Sequence, residues 1–208
     1  MKNGICVGAI APALVGLSAL ASQSLAGVGL ELRPSLQTAN VGDTVTFGIY
    51  AVADAGVPQA LSAVQVVLAW EPAYLQMLSN SNAGAVSLLS SAFTSPDPYG
   101  LNESLLPQDG NALYLAYAGL GTPVQATPAG VLLTTFRFQT LSPVSFTPVS
   151  LLTSGGSPVG FSTVFDGTVP NLDVTGALSG GGVQIVPAPG ALGLAAIGLL
   201  AGARRRRR

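Results

Sequence analysis

Apolar and polar residues alternate with a period of two through the middle of the chain, which is typical of β-strands with one buried face. In the segment 44–52 the alternation places Val45, Phe47, Ile49 and Ala51 on the same side. The Gly-Asp pair just before this segment is typical of a turn. The pattern therefore predicts a strand with one apolar face.

A second alternating run covers 63–70. Its Val64, Val66, Leu68 and Trp70 share one face. Because Trp70 shares this face with aliphatic side chains, we expect it to pack in the core rather than to form a platform for a ligand. The opposite face is also largely apolar, so this strand is expected to be covered on one side and half covered on the other.

The remaining strand segments follow the same rule and are separated by turn residues. They are 112–117, 131–138, 146–152, 161–165 and 183–186, with one short strand expected around 86–89. Within 131–138 we expect two faces, one of Leu133, Thr135 and Arg137, the other of Leu132, Thr134, Phe136 and Phe138. Because no segment of the body keeps a helical period, the sequence predicts an all-β fold, a single antiparallel β-sandwich over residues 27–186.

Residues 1–26 have the three-part pattern of a secretory signal peptide. Lys2 lies near the start, an apolar run covers 5–20, and small residues precede the end. Cleavage is expected after Ala26, with Ala21 as the alternative site. The pattern implies passage through a secretion translocon, and its rival interpretation is an anchor helix that stays on the protein.

The other end, residues 187–208, combines a short proline motif, an apolar stretch over 191–203 and a basic cluster. The residues of the motif and the cluster are Val186, Pro187, Ala188, Pro189, Arg204, Arg205, Arg206, Arg207 and Arg208. As a short hydrophobic helix, residues 190–203 would reach only about 21 Å, against a bilayer core of about 30 Å. The positive-inside rule places the Arg cluster in the cytoplasm and the body outside.

This order of proline motif, apolar stretch and terminal Arg cluster resembles the PEP-CTERM sorting signal of Gram-negative bacteria. The usual motif of that family is Val-Pro-Glu-Pro, and Ala188 stands where its Glu is expected. The resemblance implies recognition by an exosortase-type membrane protease and association with the cell surface or with exopolysaccharide. The alternative is a weak tail anchor followed by a stop-transfer cluster.

The composition excludes several chemistries. The chain has no His and a single Cys, Cys6, which lies in the predicted signal peptide. Ser-His-Asp catalysis, Cys-His catalysis and imidazole zinc sites are therefore excluded. Between the two ends, two Arg face nine Asp and Glu, a net charge of −7. Because the body has no Lys/Arg cluster, it is not expected to bind nucleic acid.

The sequence gives little support for a catalytic site, a metal site or a phosphate-binding loop. A glycan hydrolase would need two acids across a cleft, for which Glu71 and Glu103 are the candidates, but Glu71 is explained by the turn at Pro72. Four loop residues could offer calcium ligands, namely Asp97, Asp109, Asp166 and Asp173. They form no alternating Asp run, so neither a metal nor another cofactor is predicted. The Gly-Gly-Gly run at 180–182 has no following Lys, so it is interpreted as a linker or bulge rather than a phosphate loop.

Aromatic side chains could stack on the rings of a ligand. Tyr74, Tyr114 and Tyr117 come into consideration together with Tyr99. Tyr99 lies between a Pro and a Gly in a polar loop and is the best exposed candidate for ligand stacking. A single Tyr does not make a sugar site, so the ligand stays open.

Four segments resemble, in their order along the chain, the strand pattern of the cohesin family. They are the Val-Gly-Asp strand start at 41–45, the strand and turn at 61–75, the Gly-started strand at 129–138 and the closing strand at 182–185. The resemblance implies a nine-stranded, jelly-roll-like sandwich related to a carbohydrate-binding-module fold. In cellulosomal members of that family one sheet face binds dockerin modules. No interface motif is present at matching positions, so no binding residue carries over.

These features together predict an exported, non-enzymatic binding or scaffold protein of the cell surface or extracellular matrix. It would be sorted by an exosortase-type system and would bind protein or polysaccharide through its β-sandwich. Two alternatives stay open, a secreted carboxylate-dependent glycan hydrolase and a passive structural protein of the matrix. Membrane contact is expected only in transit or through a tail anchor.

Overall fold

The structure, a computed structural model, describes residues 27–86, 88–92, 110–118, 122–153, 161–168, 171–188 and 190. Several predictions fall on residues outside these ranges: those for Ala26, Asp97, Tyr99, Glu103, Asp109, Pro189, the apolar stretch 191–203 and the Arg cluster 204–208. Within the described ranges no helix is long and apolar enough to cross a membrane.

The described part of the body consists mainly of strands. In chain order they are β1 (Val28–Pro34), β2 (Thr38–Asn40), β3 (Thr44–Ala53), β4 (Gln59–Leu61), β5 (Ala63–Trp70), β6 (Leu75–Ser81), β7 (Leu89–Ala92), β8 (Asn111–Tyr117), β9 (Val124–Ala126), β10 (Val131–Thr140), β11 (Val144–Leu151), β12 (Thr163–Phe165), β13 (Thr175–Ser179) and β14 (Gly181–Val186). Four of these are three-residue segments, and only Gly180 separates β13 from β14. Setting the three-residue segments apart leaves ten longer strands, against the nine that the resemblance implies.

The strands form two sheets that pack face to face. The smaller sheet has the order β13-β1-β3-β10-β6. The larger sheet has the order β2-β14-β11-β5-β8-β7, with β12 beside β5, and β4 forms a separate pair with β9. The all-β sandwich predicted from the sequence is confirmed.

The sandwich is antiparallel, as predicted, except for one parallel pair at an edge of each sheet. β1 pairs with β13 in parallel, and so does β2 with β14, while the other strand pairs of the two sheets are antiparallel. Parallel neighbours need a long connection, and each of these pairs joins a strand from the start of the body to one from its end. The alternation of side chains is the same in both kinds of pair, so it could not distinguish them.

The core lies between the two sheets and contains the apolar faces predicted from the sequence. Every one of the side chains assigned to these two faces is buried, namely Val45, Phe47, Ile49 and Ala51 on β3, and Val64, Val66, Leu68 and Trp70 on β5. A ring contact across the core pairs Tyr114 with Phe136, whose planes stand at 88°. The assignment of Trp70 to the core is therefore confirmed.

The predicted faces of β10 are wrong at its start. The pairing of β10 with β3 shifts between Leu132 and Thr134, which makes Leu133 an extra residue in the strand. Leu133 consequently turns into the core, where it is 1% exposed, and Leu132 lies opposite Tyr50 on the outside. From Thr134 to Phe138 the expected alternation holds, because the bulge precedes these residues.

Predicted strand bounds differ from the observed ones by a few residues. The short strand expected around 86–89 is β7, at Leu89–Ala92. The segment 161–165 contributes only Thr163–Phe165, and the segment 146–152 begins earlier, at Val144. Strand ends depend on where a neighbour stops pairing, which a single strand's pattern does not contain.

The Gly-Gly-Gly run is the place where the chain changes sheets. β13 pairs with β1 in the smaller sheet, and β14 pairs with β11 in the larger one. A Cβ on Gly180 would lie 2.8 Å from the carbonyl oxygen of Val149, and one on Gly181 would lie 2.9 Å from that of Leu32. Because these contacts are with backbone, no larger residue fits without moving a strand. The run is thus a tight crossing rather than a flexible linker.

Candidate binding face

The seven strands of the larger sheet contain no charged residue over their described ranges. The charged residues that the structure describes lie in the smaller sheet or in loops, namely Glu31, Arg33, Asp43, Asp54, Glu71, Arg137, Asp166 and Asp173. An antiparallel sheet with one side toward water normally carries polar side chains on that side. The outer side of the larger sheet carries polar side chains, such as Gln65 and Thr163, but no charged ones on its strands.

The outer side is organised in rows that run across three neighbouring strands. Because Val64 and Val66 point into the core, Ala63 and Gln65 point outward. The first row consists of Phe165, Ala63 and Tyr117, from β12, β5 and β8. The second row consists of Thr163, Gln65 and Leu115. We call these six residues, together with Phe161, the aromatic face.

Two aromatic residues of the aromatic face are open to solvent. Tyr117 is 52% exposed and Phe161 is 49% exposed. The side-chain amide of Gln65 donates a hydrogen bond of 3.0 Å to the carbonyl oxygen of Phe161, which ties Phe161 to the sheet. Large rings on a rigid support lose little conformational entropy when a partner covers them. The aromatic face therefore has the properties of a contact surface for a partner.

A small cluster of buried apolar side chains lies next to the aromatic face and makes this side of the sheet rigid. Val67 and Leu113 lie opposite each other on the outer side and are buried, with Leu115 and Leu152 packed against them. The backbone holds Leu152 over this cluster, because the N–H of Leu152 donates a hydrogen bond of 2.9 Å to the carbonyl of Val67. The hydroxyl of Ser162 also accepts a hydrogen bond of 3.0 Å from the N–H of Val67.

The two tyrosines of β8 show why the sequence analysis missed this face. Tyr114 is fully buried, and its hydroxyl donates to the carbonyl of Leu133 at 3.4 Å. Tyr117 is an odd number of residues further along the same strand, so it points to the other side. Alternation along β8 therefore separates the two tyrosines in the sequence already. Tyr99, in contrast, is favoured only because of the composition of its loop.

The outer side of the smaller sheet has a different chemistry. The guanidinium of Arg33 donates two hydrogen bonds to Oε2 of Glu31, at 3.0 and 2.6 Å. The same guanidinium lies 4.3 Å from the centre of the Tyr50 ring and donates to the carbonyl of Ala129. The Glu31–Arg33 pair on this sheet is therefore already neutralised, whereas the strands of the larger sheet carry no charge at all.

Of the two carboxylates considered for catalysis, Glu71 lies among the described residues, and it has structural partners. Oε1 of Glu71 accepts a hydrogen bond of 3.2 Å from the N–H of Ala73, and its carbonyl accepts from Tyr74 and Leu75. Glu71 thus closes the turn after β5, as expected. Glu31 is paired with Arg33 at 2.6 Å. Among the described residues no group of three or more Asp, Glu, Cys or His could hold a metal ion.

The two described aspartates of the calcium hypothesis organise a loop. The carboxylate of Asp166 accepts hydrogen bonds from the N–H groups of Thr168 and Leu172, at 2.9 and 3.0 Å. The backbone hydrogen bond from Thr168 is the main reason that the pKa of Asp166 lies below its usual value. Asp173 likewise accepts from the N–H and the hydroxyl of Thr175. Asp166 through both oxygens and Asp173 through Oδ1 accept from protein donors, and they hold the β12–β13 connection.

Comparison with known proteins places the fold. No family model matches the sequence, and no curated protein matches it. Among solved structures, a cohesin module from a family 33 glycoside hydrolase of Clostridium perfringens superposes with a TM-score of 0.54 at 11% identity, over 78% of this chain and 99% of that one.

Two further cohesin structures agree. The seventh ScaB type I cohesin of Pseudobacteroides cellulosolvens has a TM-score of 0.52 at 11% identity, over 78% of this chain and 94% of that one. A type I cohesin–dockerin complex from Clostridium thermocellum has a TM-score of 0.51 at 14% identity, over 76% of this chain and 99% of that one. Identities this low concern the fold alone, and the fold of this chain is a cohesin-like β-sandwich.

Proposed function

We propose that this chain is an exported binding or scaffold protein of the cell surface or extracellular matrix, and that its sandwich docks a protein module through the aromatic face. The partner would present an apolar patch of its own, because a face without charges offers no complement to a charged partner. The activity is binding, without a chemical step.

One observation carries this proposal, namely the uncharged outer side of the larger sheet with Tyr117 and Phe161 about half exposed. Exposed aromatic rings on a rigid sheet are the residues that contribute most to protein interfaces. The likeness to cohesin modules supports the same direction, since one of the similar structures is a cohesin–dockerin complex. A passive matrix protein would have no need to keep such rings in water.

Binding is also favoured over hydrolysis by what the described carboxylates do. A hydrolase needs one carboxylate free to act on a glycosidic bond and a second one across a cleft. Glu31 is held by Arg33 and Glu71 by the turn, so neither faces a cleft with a free partner acid.

The location in this proposal rests on the two ends of the sequence. The signal peptide pattern ending at Ala26 would bring the body through the translocon, and the sorting pattern from Val186 to Arg208 would deliver it to an exosortase-type protease. In the structure β14 ends at Val186, and Pro187 and Ala188 follow it outside the sheets. A protease or an anchor at this end could therefore act without unfolding a strand.

The test is capture of a partner from the envelope fraction of the source cells by the tagged full chain, quantified by mass spectrometry. Tyr117→Ser and Phe161→Ser should each reduce the captured partner at least tenfold. Leu172→Ser is the matched control, because Leu172 is 51% exposed but lies in the β12–β13 connection. Capture should be saturable and unchanged in this control.

Two outcomes would contradict the proposal. Equal capture by the Tyr117 and Leu172 variants would show that the aromatic face is not the contact. A complete absence of saturable capture would favour a passive matrix protein instead. A purified dockerin module serves as a defined probe beside the envelope fraction.

A further inference from the structure

A groove separate from the aromatic face lies where β1 runs past the sheet-changing glycines. It has a volume of about 380 Å³ and is lined by Glu31, Arg33, Gln37, Phe146 and Gly180–Gly182, together with the backbone of β1. This volume is within the range of sites that hold a small ligand of one or two rings. Neither the fold nor the proposed docking of a protein module requires the groove.

Phe146 is the most exposed large apolar residue of the described chain, at 60%. Its ring lies directly against Gly182, where an added Cβ would come within 2.5 Å of ring atoms. The ring is therefore supported by bare backbone on one side and open to the groove on the other. The partly positive C–H groups of a sugar ring are attracted to the electron-rich face of such an aromatic ring.

The polar groups of the groove suit hydroxyls better than a charged ligand. Glu31 and Arg33 neutralise each other, and Oε2 of Glu31 takes both hydrogen bonds from the guanidinium. Oε1 of Glu31 and the exposed amide of Gln37 have no hydrogen-bond partner among the described residues. The groove thus offers free acceptors and a donor without net charge, and a hydroxyl is the group that can both donate and accept.

From this combination we infer that the groove binds a neutral sugar unit of a polysaccharide. The pyranose ring stacks on Phe146, and its hydroxyls bond to the free oxygen of Glu31 and to the amide of Gln37. A phosphate or an acidic sugar finds no unpaired cation here, and a metal ion finds only one carboxylate. The site goes beyond the proposed function, because it would connect the protein to glycan while the aromatic face holds a protein.

The experiment is native affinity electrophoresis of the full chain, purified in a mild detergent, through gels that contain a soluble polysaccharide. Dextran, hydroxyethyl cellulose and galactomannan are the neutral probes, and alginate is the acidic one. We expect retardation by at least one neutral polysaccharide. Phe146→Ala should weaken it at least tenfold and Gln37→Ala severalfold.

Two controls separate stacking from folding and from the protein-binding face. Phe146→Leu keeps an apolar side chain and should preserve the melting temperature, yet it should lose retardation as Phe146→Ala does. Phe161→Ala removes an aromatic ring of similar exposure on the aromatic face and should leave retardation unchanged. Conversely, Phe146→Ala should leave the capture of the protein partner intact, so that each proposal can fail alone.

Three results would overturn this inference. They are no retardation by any neutral polysaccharide, retardation that Phe146→Leu leaves unchanged, and retardation by alginate only.

Discussion

The indole ring of Trp70 meets the ring of Phe138 edge to face, with ring centroids 5.2 Å apart and planes at 73°. Trp70 belongs to β5 of the larger sheet and Phe138 to β10 of the smaller one. Phe138 makes a second contact of this kind with Phe47, at 5.6 Å. These three rings join the two sheets across the core, near the end of β5.

Replacing Phe138 should therefore destabilise the whole domain. Phe138→Ala removes a fully buried ring and both of its edge-to-face contacts, and we expect a loss of about 3–5 kcal/mol in the free energy of unfolding. Urea unfolding followed by tryptophan fluorescence measures this directly, because Trp70 is the single Trp of the chain. Phe161→Ala is the matched control and should change stability by less than about 1 kcal/mol. Equal losses in the two variants would contradict the core described above.

The sheet crossing should tolerate no side chain. Gly180→Ala would bring a Cβ to 2.8 Å from the carbonyl oxygen of Val149, so we expect a loss of about 1–3 kcal/mol from the forced backbone shift. At Gly190 an added Cβ meets no described atom within 4 Å, and Gly190→Ala should be neutral within about 0.5 kcal/mol. Thermal unfolding of the two variants provides the comparison. A neutral Gly180→Ala would mean that the crossing is looser than the structure shows.

The loop at Asp166 should make stability depend on pH on the acid side. Folding lowers the pKa of Asp166 below its usual value of 3.8, chiefly through the backbone hydrogen bond from Thr168. The contribution of this carboxylate is therefore complete above that usual value and is lost as the pH falls through the lower pKa of the folded state. Urea unfolding between pH 6 and pH 2.5 should show the advantage of the wild type over Asp166→Asn shrinking below about pH 4.

Thr168→Ala is the control for this pH dependence. It removes a hydroxyl that donates to Asp166 but keeps the backbone N–H, which is the main cause of the lowered pKa. Most of the pH dependence should survive in Thr168→Ala. Parallel pH profiles for the wild type and Asp166→Asn would show that this carboxylate contributes nothing.

The sorting prediction concerns the chain ends. Replacing Arg204–Arg208 by Ala should leave the protein unprocessed or in the wrong cell fraction, because the basic cluster would no longer mark the end of the signal. Mass spectrometry of the envelope form should find Gly27 as the first residue of the wild type. An unchanged mass and fraction for the Arg variant would contradict the exosortase hypothesis.

Some of these features were predictable from the sequence. Others were not, and the physical reason differs from one feature to the next. The inward faces of β3 and β5 followed from alternation, since neither strand contains a bulge of its own. The bulge at Leu133 did not, because an extra residue in one strand is visible only against its partner. Alternation placed Trp70 inside, but no sequence rule brings it to Phe138, which is 68 positions later.

The aromatic face and the groove were missed for a further reason. Phe165, Ala63 and Tyr117 lie in one row because of a pairing among three strands that are far apart in the sequence. The sequence places Phe146 in a strand but does not indicate a ligand site there. Gly182 and Gln37, which line the groove with it, are distant in the sequence and come close only in the folded sandwich. Contacts between distant segments depend on topology, which a single-residue pattern does not encode.

The change of sheets also has a mechanical consequence for a body held at its C-terminal end, as proposed. Force applied at Val186 enters β14, which is bonded along both edges by β2 and β11. It continues into β13, which runs parallel to β1. A load directed along these strands would be shared by their cross-strand hydrogen bonds in shear, instead of opening them one after another. A tethered sandwich of this design resists being peeled from its anchored end.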